Sequence, residues 1–337
     1  MFPGDDTAVR SPAPDAPREP FLIGREDEPV PPALMGAVAA IGNFDGIHSG
    51  HRALIAAVRE TAAETGRPAV VLTFEPHPRV YFRPDQPMFR LSDRGAKERV
   101  FARLGLDGLI VRRFDAGLAK TTAAGFVEDL LVRDLGVTGV VIGHDFHFGR
   151  GREGTPAVLA ALCATAGLRC RIIEAVSIDR EAEPVSSSAI RAALAAGDVA
   201  RANALLGYRW FLSAQVRHGD KRGRTLGYPT ANMALDECGL AHGIYAVRAQ
   251  LQDGSLYDGV ASYGRRPTFD DGAPLLEVNL FGFAGDLYGQ DMTVEFVAHL
   301  RGEERFDSAE ALIARMDLDA AEARSRLAID ITPSMIA

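Results

Sequence analysis

The chain has 337 residues, a length that predicts two domains, and its composition, 47% hydrophobic and 24% charged, is that of a globular protein. Its 37 Lys and Arg against 45 Asp and Glu give a formal charge of −8, and the absence of a long basic run argues against a nucleic-acid partner. No apolar run approaches the roughly 18 residues of a membrane span, so no membrane partner is expected.

Three cysteines, Cys163, Cys170 and Cys238, include no C-x-x-C pair, which argues against a disulfide framework or a zinc site. A reducing cytoplasm is therefore the expected location. Residues 1–20, "MFPGDDTAVRSPAPDAPREP", carry acids and prolines where a signal peptide would have a basic start and an apolar core, so we expect a disordered extension.

Short apolar runs alternate with helical patterns between residues 37 and 206, which predicts a doubly wound parallel sheet in a domain spanning 21–204. Ligands in such sheets bind beyond the carboxyl ends of the strands. The predicted strands are 37–41, 69–74, 108–114, 139–143 and 170–176.

From Trp210 to Leu300 the pattern changes to short strands separated by turns. We expect an antiparallel sheet or small barrel in a second domain, 205–330. The domain closes with an amphipathic helix, for which Ser308 is the expected N-cap and Glu310 lies in the first turn.

The stretch "IGNFDGIHSGH" follows the first predicted strand and leads into a helix. Gly42 and Gly46 let the backbone approach a ligand closely, and Gly50 precedes the expected helix, whose free N–H groups attract anions. His48 and His51 stand about one turn apart and can donate hydrogen bonds to phosphoryl oxygens. The position therefore favours a phosphate site.

Two other interpretations of the histidines stay open on residue types alone. Glu75 and His77 in "TFEPHPR" could complete a zinc site, because zinc needs at least a third protein ligand. The histidines could also simply cap a turn.

A competing signal is "GRGREG" at 149–154, a G-x-G-x-x-G pattern with Glu174 about twenty residues beyond, as a dinucleotide-binding fingerprint has. It would make the protein an NAD-dependent oxidoreductase. However, "HDFHF" separates the preceding strand from the first glycine, whereas the fingerprint belongs directly at a strand end. We interpret the segment as a flexible loop over a ligand.

Two further stretches offer phosphate ligands. "VSSSAIRAAL" opens a helix, where Ser187, Ser188 and Arg191 can form an anion clamp, although serines here could equally be caps. "HGDKRGRTLGYPTANM" combines a flexible cationic loop with Thr230 and Asn232, two oxygen donors suited to Mg²⁺. On residue types alone it could also be a polar hairpin. The loop residues are Gly219, Lys221, Gly223, Arg224 and Gly227.

"GNFDGIHSGH" resembles the signature of the nucleotidylyltransferase superfamily, and "TFEPHP", "GHDFHFGRGREGT" and "SSSAIR" follow in the order seen in bacterial bifunctional riboflavin kinase/FAD synthetases. This resemblance implies a Rossmann-like domain that transfers AMP from ATP to FMN. It implies that His48 and His51 stabilise the α-phosphate, that the serines and Arg191 grip the triphosphate, and that Asp145 lies near the flavin. ATP would also contact Gly42, Asn43, Phe44, Asp45 and Gly50.

The second half resembles the riboflavin kinases through "HGDKRGRTLGYPTAN", "GIYAV", "GVASYGRRPTF" and "EVNLFGFAGDLYG". The resemblance implies a barrel in which Glu277 is the general base for phosphorylation of riboflavin, with Mg²⁺ on Thr230 and Asn232. The sequence departs from the family pattern at Asn279, usually histidine, and at Gly282, usually aspartate. Ser262 stands within "SYG", where Asn-Ile-Gly is commoner.

The expected function is therefore bifunctional: riboflavin and ATP give FMN, then FMN and ATP give FAD and pyrophosphate. Riboflavin, FMN, FAD and ATP are the expected partners, with Mg²⁺ as cofactor. The alternatives are a nucleotidylyltransferase with another substrate, the NAD-dependent oxidoreductase, and a non-catalytic flavin-binding module.

Overall fold

The computed structural model describes residues 20–26, 28–86, 88–175, 185–218, 228–235, 238–265 and 274–336. Nearly all of the predicted N-terminal extension, residues 1–19, lies outside this range. Within the described residues, no helix combines the length and apolar character that crossing a bilayer requires.

The first half of the chain forms a six-stranded sheet in which every neighbouring pair is parallel, in the order β1-β4-β3-β2-β5-β6. The central strands are buried on both faces, as expected where helices cover both sides of a parallel sheet. The strands are β1 Leu22–Gly24, β2 Val38–Ile41, β3 Ala69–Glu75, β4 Gly108–Arg113, β5 Gly139–Gly143 and β6 Arg169–Ile173.

The helices that follow these strands often begin at a side-chain cap and end at a left-handed glycine; Gly66 and Gly167 terminate two of them in this way. A π-helical segment, Phe126–Asp134, continues α5. The helices are α1 Ser49–Thr65, α2 Pro78–Phe82, α3 Arg94–Arg103, α4 Ala116–Lys120, α5 Ala123–Gly125, α6 Pro156–Ala166, α7 Ser187–Ala195 and α8 Val199–Leu206.

The structure differs from the sequence prediction at both edges of this sheet. Strand β1 was not predicted, because three residues carry too little periodicity to be recognised; it pairs with β4 through Leu22 and Gly108. The last strand, predicted over 170–176, runs from Arg169 to Ile173 within the described residues, and Val176 lies outside them. Its pairing with β5 ends at Gly143, so the ladder offers no partner further along.

The second half forms a closed antiparallel barrel with the strand order β10-β11-β8-β7-β12-β9. The predicted fold class, a doubly wound parallel sheet followed by an antiparallel barrel and a C-terminal helix, is therefore confirmed. The barrel strands are β7 Phe211–Arg217, β8 Ala231–Ala234, β9 Gly243–Gln250, β10 Leu256–Arg265, β11 Pro274–Leu280 and β12 Asp291–Arg301.

The C-terminal helix α9, Ala309–Ile329, begins as predicted at Ser308, whose side chain accepts a hydrogen bond from the Ala311 N–H, with Glu310 in the first turn. Ala323 and Leu327 are buried against the outside of the barrel. The helix therefore covers apolar barrel surface that would otherwise face water.

The two halves pack closely where α8 leads into the barrel. Asn203 of α8 donates from Nδ2 to the Phe296 carbonyl and accepts from the Trp210 N–H, so this buried amide joins helix and barrel. Helix α8 ends at Leu206 and β7 begins at Phe211. The predicted boundary between residues 204 and 205 stays a prediction.

A buried ion network fixes the residues that follow α9. Arg209, just before the barrel, pairs with Glu295 of β12 at 3.1 Å and with Asp330 at 2.5 Å. Glu295 is fully buried and also accepts hydrogen bonds from the Ser334 hydroxyl and the Met335 N–H. The C-terminal residues are thereby held against the start of the barrel.

We expect Arg209→Met to lower the free energy of unfolding by about 3 kcal/mol, because removing one member of a buried ion network leaves another charge uncompensated. Urea unfolding followed by circular dichroism measures the change. Arg133→Met is the control, since Arg133 pairs with Asp129 on the surface and its loss should cost less than about 1 kcal/mol. Equal losses for the two variants would contradict the assignment.

Candidate active sites

The first candidate site lies at the point where the strand order of the parallel sheet reverses. Strand β2 has β3 on one side and β5 on the other, so the loops after β2 and β5 diverge and leave a crevice at their carboxyl ends. The loop after β2 is residues 42–48, the stretch that the sequence singled out. The fold therefore brings this stretch to the ligand-binding edge of the sheet.

Two residues give the loop its sharp turn. Phe44 has φ 49° and is fully buried, with its ring 5.5 Å from that of Phe101 and 5.0 Å from that of His51. Gly46 has φ 63°, and a Cβ there would lie 2.6 Å from the Leu91 side chain, so only glycine fits. The Phe44 ring supports His51 from the core side rather than facing the crevice.

His48 and His51 lie with their rings stacked, 3.8 Å between centroids and 19° between planes. His48 is the N-cap of α1, and its Nδ1 accepts a hydrogen bond of 3.3 Å from the His51 N–H. Helix α1 begins at Ser49, so Gly50, expected just before the helix, is in fact its second residue. Both imidazoles therefore stand over the N-terminus of α1.

Hydrogen bonds assign the tautomers of the two rings. Because His48 Nδ1 accepts, the proton of the neutral ring is on Nε2, which can donate to a ligand. His51 Nδ1 lies 3.1 Å from the Gly46 carbonyl oxygen, which can only accept, so Nδ1 carries the proton and Nε2 of the neutral ring is an acceptor. His51 can donate to a phosphate from Nε2 only after gaining a second proton.

Burial disfavours the protonated form of both rings. Burial lowers the pKa of His48 to about 4, against the opposing effect of the nearby Asp145. Burial also lowers the pKa of His51 well below its usual value, and the adjacent His48 lowers it further. An anionic ligand placed over the pair would raise both pKa values.

A buried carboxylate and an arginine adjoin the histidines. Asp45 is 2% exposed and forms an ion pair with the Arg191 guanidinium, while its Oδ1 accepts from the Ser92 N–H at 3.1 Å. Arg191 Nε also donates to the Phe89 carbonyl at 2.7 Å. The arginine is thereby oriented from α7 towards the loop after β2.

The serines at the start of α7 have different roles. Ser186 is the N-cap and accepts from the Ala189 N–H. The Ser187 hydroxyl donates to the Asp45 carbonyl at 2.7 Å, and Ser188 is exposed. Ser187 thus joins α7 to the loop, while Ser188 faces solvent at the same helix end.

Sequence reasoning missed a second charged group beneath the loop. Lys97 of α3 is 1% exposed and donates from Nζ to the Asn43 carbonyl at 2.9 Å; it also lies 3.4 Å from Glu75. Arg90 binds both oxygens of Glu75. Burial lowers the pKa of Lys97, and Glu75 opposes that shift. Nothing in "SDRGAKERV" distinguishes Lys97 from a lysine on a solvated helix face.

The loop after β5 lies on the other side of the crevice. Asp145 is exposed, and its carbonyl contacts His147 Nδ1 at 2.8 Å. In "GRGREG", Gly149 follows the end of β5 by six positions, and Phe148 pairs with Gly154 across a short turn. The segment therefore lacks the direct strand-to-helix turn of a dinucleotide-binding fingerprint.

The zinc alternative finds no support in the part of the chain that the structure describes. Among those residues, no group of three or more His, Cys, Asp or Glu side chains could hold a metal ion. Glu75 is bound by Arg90, and His77 caps α2 by accepting from the Arg79 N–H.

The second site lies on the barrel. Glu277 of β11 stands opposite Asn232 of β8 and opposite Ser262 of β10, and Asn232 stands opposite Arg217 of β7. Directly opposed residues of antiparallel strands share a face, so the four side chains form one polar row across four strands. Arg217, which we did not single out, adds a cation to the row.

The Asn232 side chain is suited to a cation. Its Nδ2 donates to the Thr230 carbonyl at 3.3 Å, while its Oδ1 is buried with no hydrogen-bond partner among the described residues. A buried acceptor oxygen without a donor is costly unless a ligand satisfies it. Thr230 and Asn232 also line a cavity of about 390 Å³, bounded on its other side by residues 283–288.

Two departures from the family pattern have structural explanations. Asn279 donates from Nδ2 to the Pro229 carbonyl at 2.8 Å, which fixes the chain just before Thr230. Gly282 has φ 71°, a left-handed conformation that glycine adopts without strain. The predicted ATP-loop residues Gly219, Lys221, Gly223, Arg224 and Gly227 lie outside the described residues.

Two family models match successive parts of the chain. A family model described as FAD synthetase matches residues 30–189, and one described as riboflavin kinase matches residues 206–327. The chain belongs to the bifunctional riboflavin kinase/FMN adenylyltransferase family. It is accordingly an enzyme that converts riboflavin to FMN and FMN to FAD with ATP, as the sequence predicts.

Among the curated relatives with that name, the one from Pseudomonas fluorescens is 41% identical over 296 residues, covering 87% of this chain and 94% of the relative. The one from Haemophilus influenzae is 38% identical, with the same coverage. The one from Escherichia coli K12 is 39% identical and covers 85% of this chain and 92% of its own.

Among solved structures, a Streptococcus pneumoniae protein named as a macrolide-efflux protein superposes with a TM-score of 0.78 at 29% identity. The match covers 90% of this chain and 98% of that one, so the likeness extends over both halves of the fold.

We expect the protein to lose stability as the pH falls from 6.5 towards 4. The unfolded chain takes up a proton at His48 near pH 6.5 while the folded chain resists it until about pH 4, so protons favour unfolding in this window. Urea unfolding at pH 7 and at pH 5 measures the effect. His48→Asn, whose side chain can still cap α1, should show a smaller difference between the two pH values. An unchanged difference would contradict the assignment.

Proposed function

We propose that AMP transfer takes place in the crevice after β2, at the N-terminus of α1. His48 and His51 contact the α-phosphate of ATP, and Arg191, with the start of α7, binds the remaining phosphates. The backbone of residues 42–46 and Gly50 lies against the nucleotide, and Asp145 lies near the flavin. The observation that carries the proposal is the stacked, neutral histidine pair over a helix N-terminus with Arg191 beside it.

This arrangement suits a reaction that needs no general base. An oxygen of the FMN phosphate is already ionised and attacks the α-phosphorus, while the bond to pyrophosphate breaks. Negative charge gathers on the α-phosphoryl oxygens and the leaving group. His48 donates from Nε2 without changing its protonation, and His51 becomes a donor by taking up a proton that the anionic triphosphate stabilises.

We propose that riboflavin phosphorylation takes place in the barrel, along the polar row that contains Glu277. The nucleophile here is a neutral ribityl hydroxyl, so a base must take its proton as the oxygen attacks the γ-phosphorus and ADP leaves. Glu277 is that base. The loop containing Gly219, Lys221, Gly223, Arg224 and Gly227 binds ATP.

Mg²⁺ fits the donors of this second site. The Thr230 hydroxyl and Asn232 Oδ1 are hard oxygen ligands, and Oδ1 is the buried acceptor without a partner among the described residues. When bound, the ion neutralises phosphate charge on ATP.

The three cysteines are free thiols, which favours a reducing cytoplasm as the place where the enzyme works.

The two activities should be separable by single substitutions in the full chain. His48→Asn should lower kcat for FMN to FAD by about 10²-fold or more, because one donor to the developing charge is lost, and should leave riboflavin phosphorylation intact. Glu277→Gln should lower kcat for riboflavin to FMN by about 10³-fold and spare AMP transfer. Each half-reaction is measured by separating the flavins after incubation with Mg²⁺ and ATP.

Each variant is the folding control for the other, since both retain one activity. Loss of both activities from either substitution, or retention of both, would refute the assignment of separate sites.

We expect Asn232→Leu, which is similar in size but lacks the oxygen, to raise the Mg²⁺ concentration needed for half-maximal kinase activity by about tenfold or more, since loss of even an outer-shell partner of a metal costs about that much. The measurement is a Mg²⁺ titration at saturating ATP and riboflavin. AMP transfer by the same variant serves as the control and should keep its wild-type Mg²⁺ requirement. An unaltered titration of the kinase would exclude Asn232 as a ligand.

A further inference from the structure

The segment 89–92 lies between α2 and α3 and belongs to no helix or strand. It passes between the AMP-transfer site and the barrel, and it makes hydrogen bonds to both. The conformation of such a segment is fixed by its tertiary contacts, because no helix or strand ladder holds its backbone.

On one side, the segment holds charged groups of the AMP-transfer site. The Phe89 carbonyl accepts from Arg191 Nε at 2.7 Å, and the Ser92 N–H donates to Asp45 Oδ1 at 3.1 Å. The Ser92 hydroxyl accepts from the Gly46 N–H at 3.2 Å. The direction of the Arg191 guanidinium therefore depends on where this backbone lies.

On the other side, the segment rests on the barrel. Trp210, which directly precedes β7, is 2% exposed and donates from its indole Nε1 to the Leu91 carbonyl at 2.9 Å. Its ring meets that of Phe89 edge to face, with centroids 6.0 Å apart. Gly239 packs so closely on Phe89 that a Cβ there would lie 2.8 Å from the phenyl ring.

We propose that Trp210 is a positioning residue for AMP transfer: through the Leu91 carbonyl and the Phe89 ring, it places the backbone that orients Arg191 and Asp45. The inference rests on the proposed role of Arg191 in binding the phosphates of ATP. The barrel thus contributes to the chemistry of the other domain without touching its substrates.

The physical reason lies in the hydrogen bond to Leu91. An indole N–H is a donor only, and the bond is buried, so its loss leaves a carbonyl without a partner in a place that water reaches poorly. The segment can then relax towards other partners. A small displacement of the Phe89 carbonyl tilts the Arg191 guanidinium, which donates a hydrogen bond to it. Because AMP transfer depends on positioning, a misplaced guanidinium slows the reaction.

The first test is Trp210→Phe in the full-length protein, which keeps an aromatic ring and removes the donor. We expect kcat/KM for ATP in AMP transfer to fall between about threefold and thirtyfold, the range for substitutions along a packed network. Kinetic constants for riboflavin phosphorylation should stay unchanged. Unchanged AMP transfer, or an equal loss of both activities, would overturn the proposal.

Phe296→Leu is the matched control. The Phe296 ring lies 5.2 Å from that of Trp210 on the barrel side and is fully buried, so its truncation disturbs the same aromatic cluster. We expect this variant to lose thermal stability while AMP transfer keeps its wild-type kcat/KM for ATP. A selective loss of AMP transfer here would attribute the effect to packing and would overturn the role of the indole N–H.

Phe89→Leu is a second variant in case Trp210→Phe does not fold. It removes the phenyl ring that contacts the Trp210 indole edge to face, and it keeps the backbone carbonyl that accepts from Arg191. It should reduce AMP transfer selectively, in the same range of about threefold to thirtyfold. Wild-type AMP transfer in this variant would overturn the proposal.

The indole itself gives a second readout, because Trp210 is the only tryptophan among the 337 residues. Inorganic pyrophosphate, a product of AMP transfer, should change the tryptophan emission of the flavin-free protein over the same concentrations at which it inhibits that reaction. Inhibition without any change in emission would overturn the inference.

Arg191→Lys separates this inference from the function on which it rests. Lysine keeps the charge but cannot make both hydrogen bonds of the guanidinium. Wild-type AMP transfer in Arg191→Lys would refute the proposed role of Arg191 and, with it, the positioning role of Trp210. Impaired AMP transfer in Arg191→Lys, with normal rates in Trp210→Phe and Phe89→Leu, would refute only the positioning role of Trp210.

Discussion

The buried ion pair between Asp45 and Arg191 is the interaction on which the proposed AMP-transfer site depends. It joins the loop after β2 to a helix that lies 146 positions further along the chain. A carboxylate that is 2% exposed is stable only when it is paired and hydrogen-bonded, and here the Ser92 N–H completes its partners. The pair fixes where the arginine sits before any nucleotide arrives, so the site needs little reorganisation when charge develops.

The two halves of the enzyme catalyse reactions that differ in whether the nucleophile must lose a proton as it attacks. In AMP transfer the nucleophile is an ionised phosphate, and the proposed site offers two imidazoles, an arginine and a helix end. In phosphorylation the nucleophile is an alcohol, and the barrel offers the carboxylate of Glu277, the proposed base, on the same face as Asn232. An open parallel sheet leaves its loops free to cradle phosphates, whereas a barrel strand presents alternate side chains at fixed spacing.

The motif residues and the order of the secondary-structure elements could be predicted from the sequence, because both follow from local sequence patterns. Sequence reasoning found His48 and His51 at a strand end, the three-serine start of α7, and Thr230 with Asn232. It missed β1, which has only three residues, and it missed Lys97 and Arg90, which look like ordinary surface cations until the fold buries the one and pairs the other with Glu75. It also missed Trp210, since a single aromatic residue beside a strand has no pattern.

Hydrophobic periodicity and motif spacing are properties of neighbouring residues, so the amino-acid sequence is enough to predict the fold class and the bifunctional chemistry. Which atoms of the candidate site residues can donate hydrogen bonds depends instead on contacts that form when the chain folds. The tautomers of His48 and His51 follow from a helix N–H and the Gly46 carbonyl, and the direction of Arg191 follows from Asp45 and Phe89. Hydrogen bonds between residues far apart in the chain leave no trace in local pattern, so these properties exist only once the chain has folded.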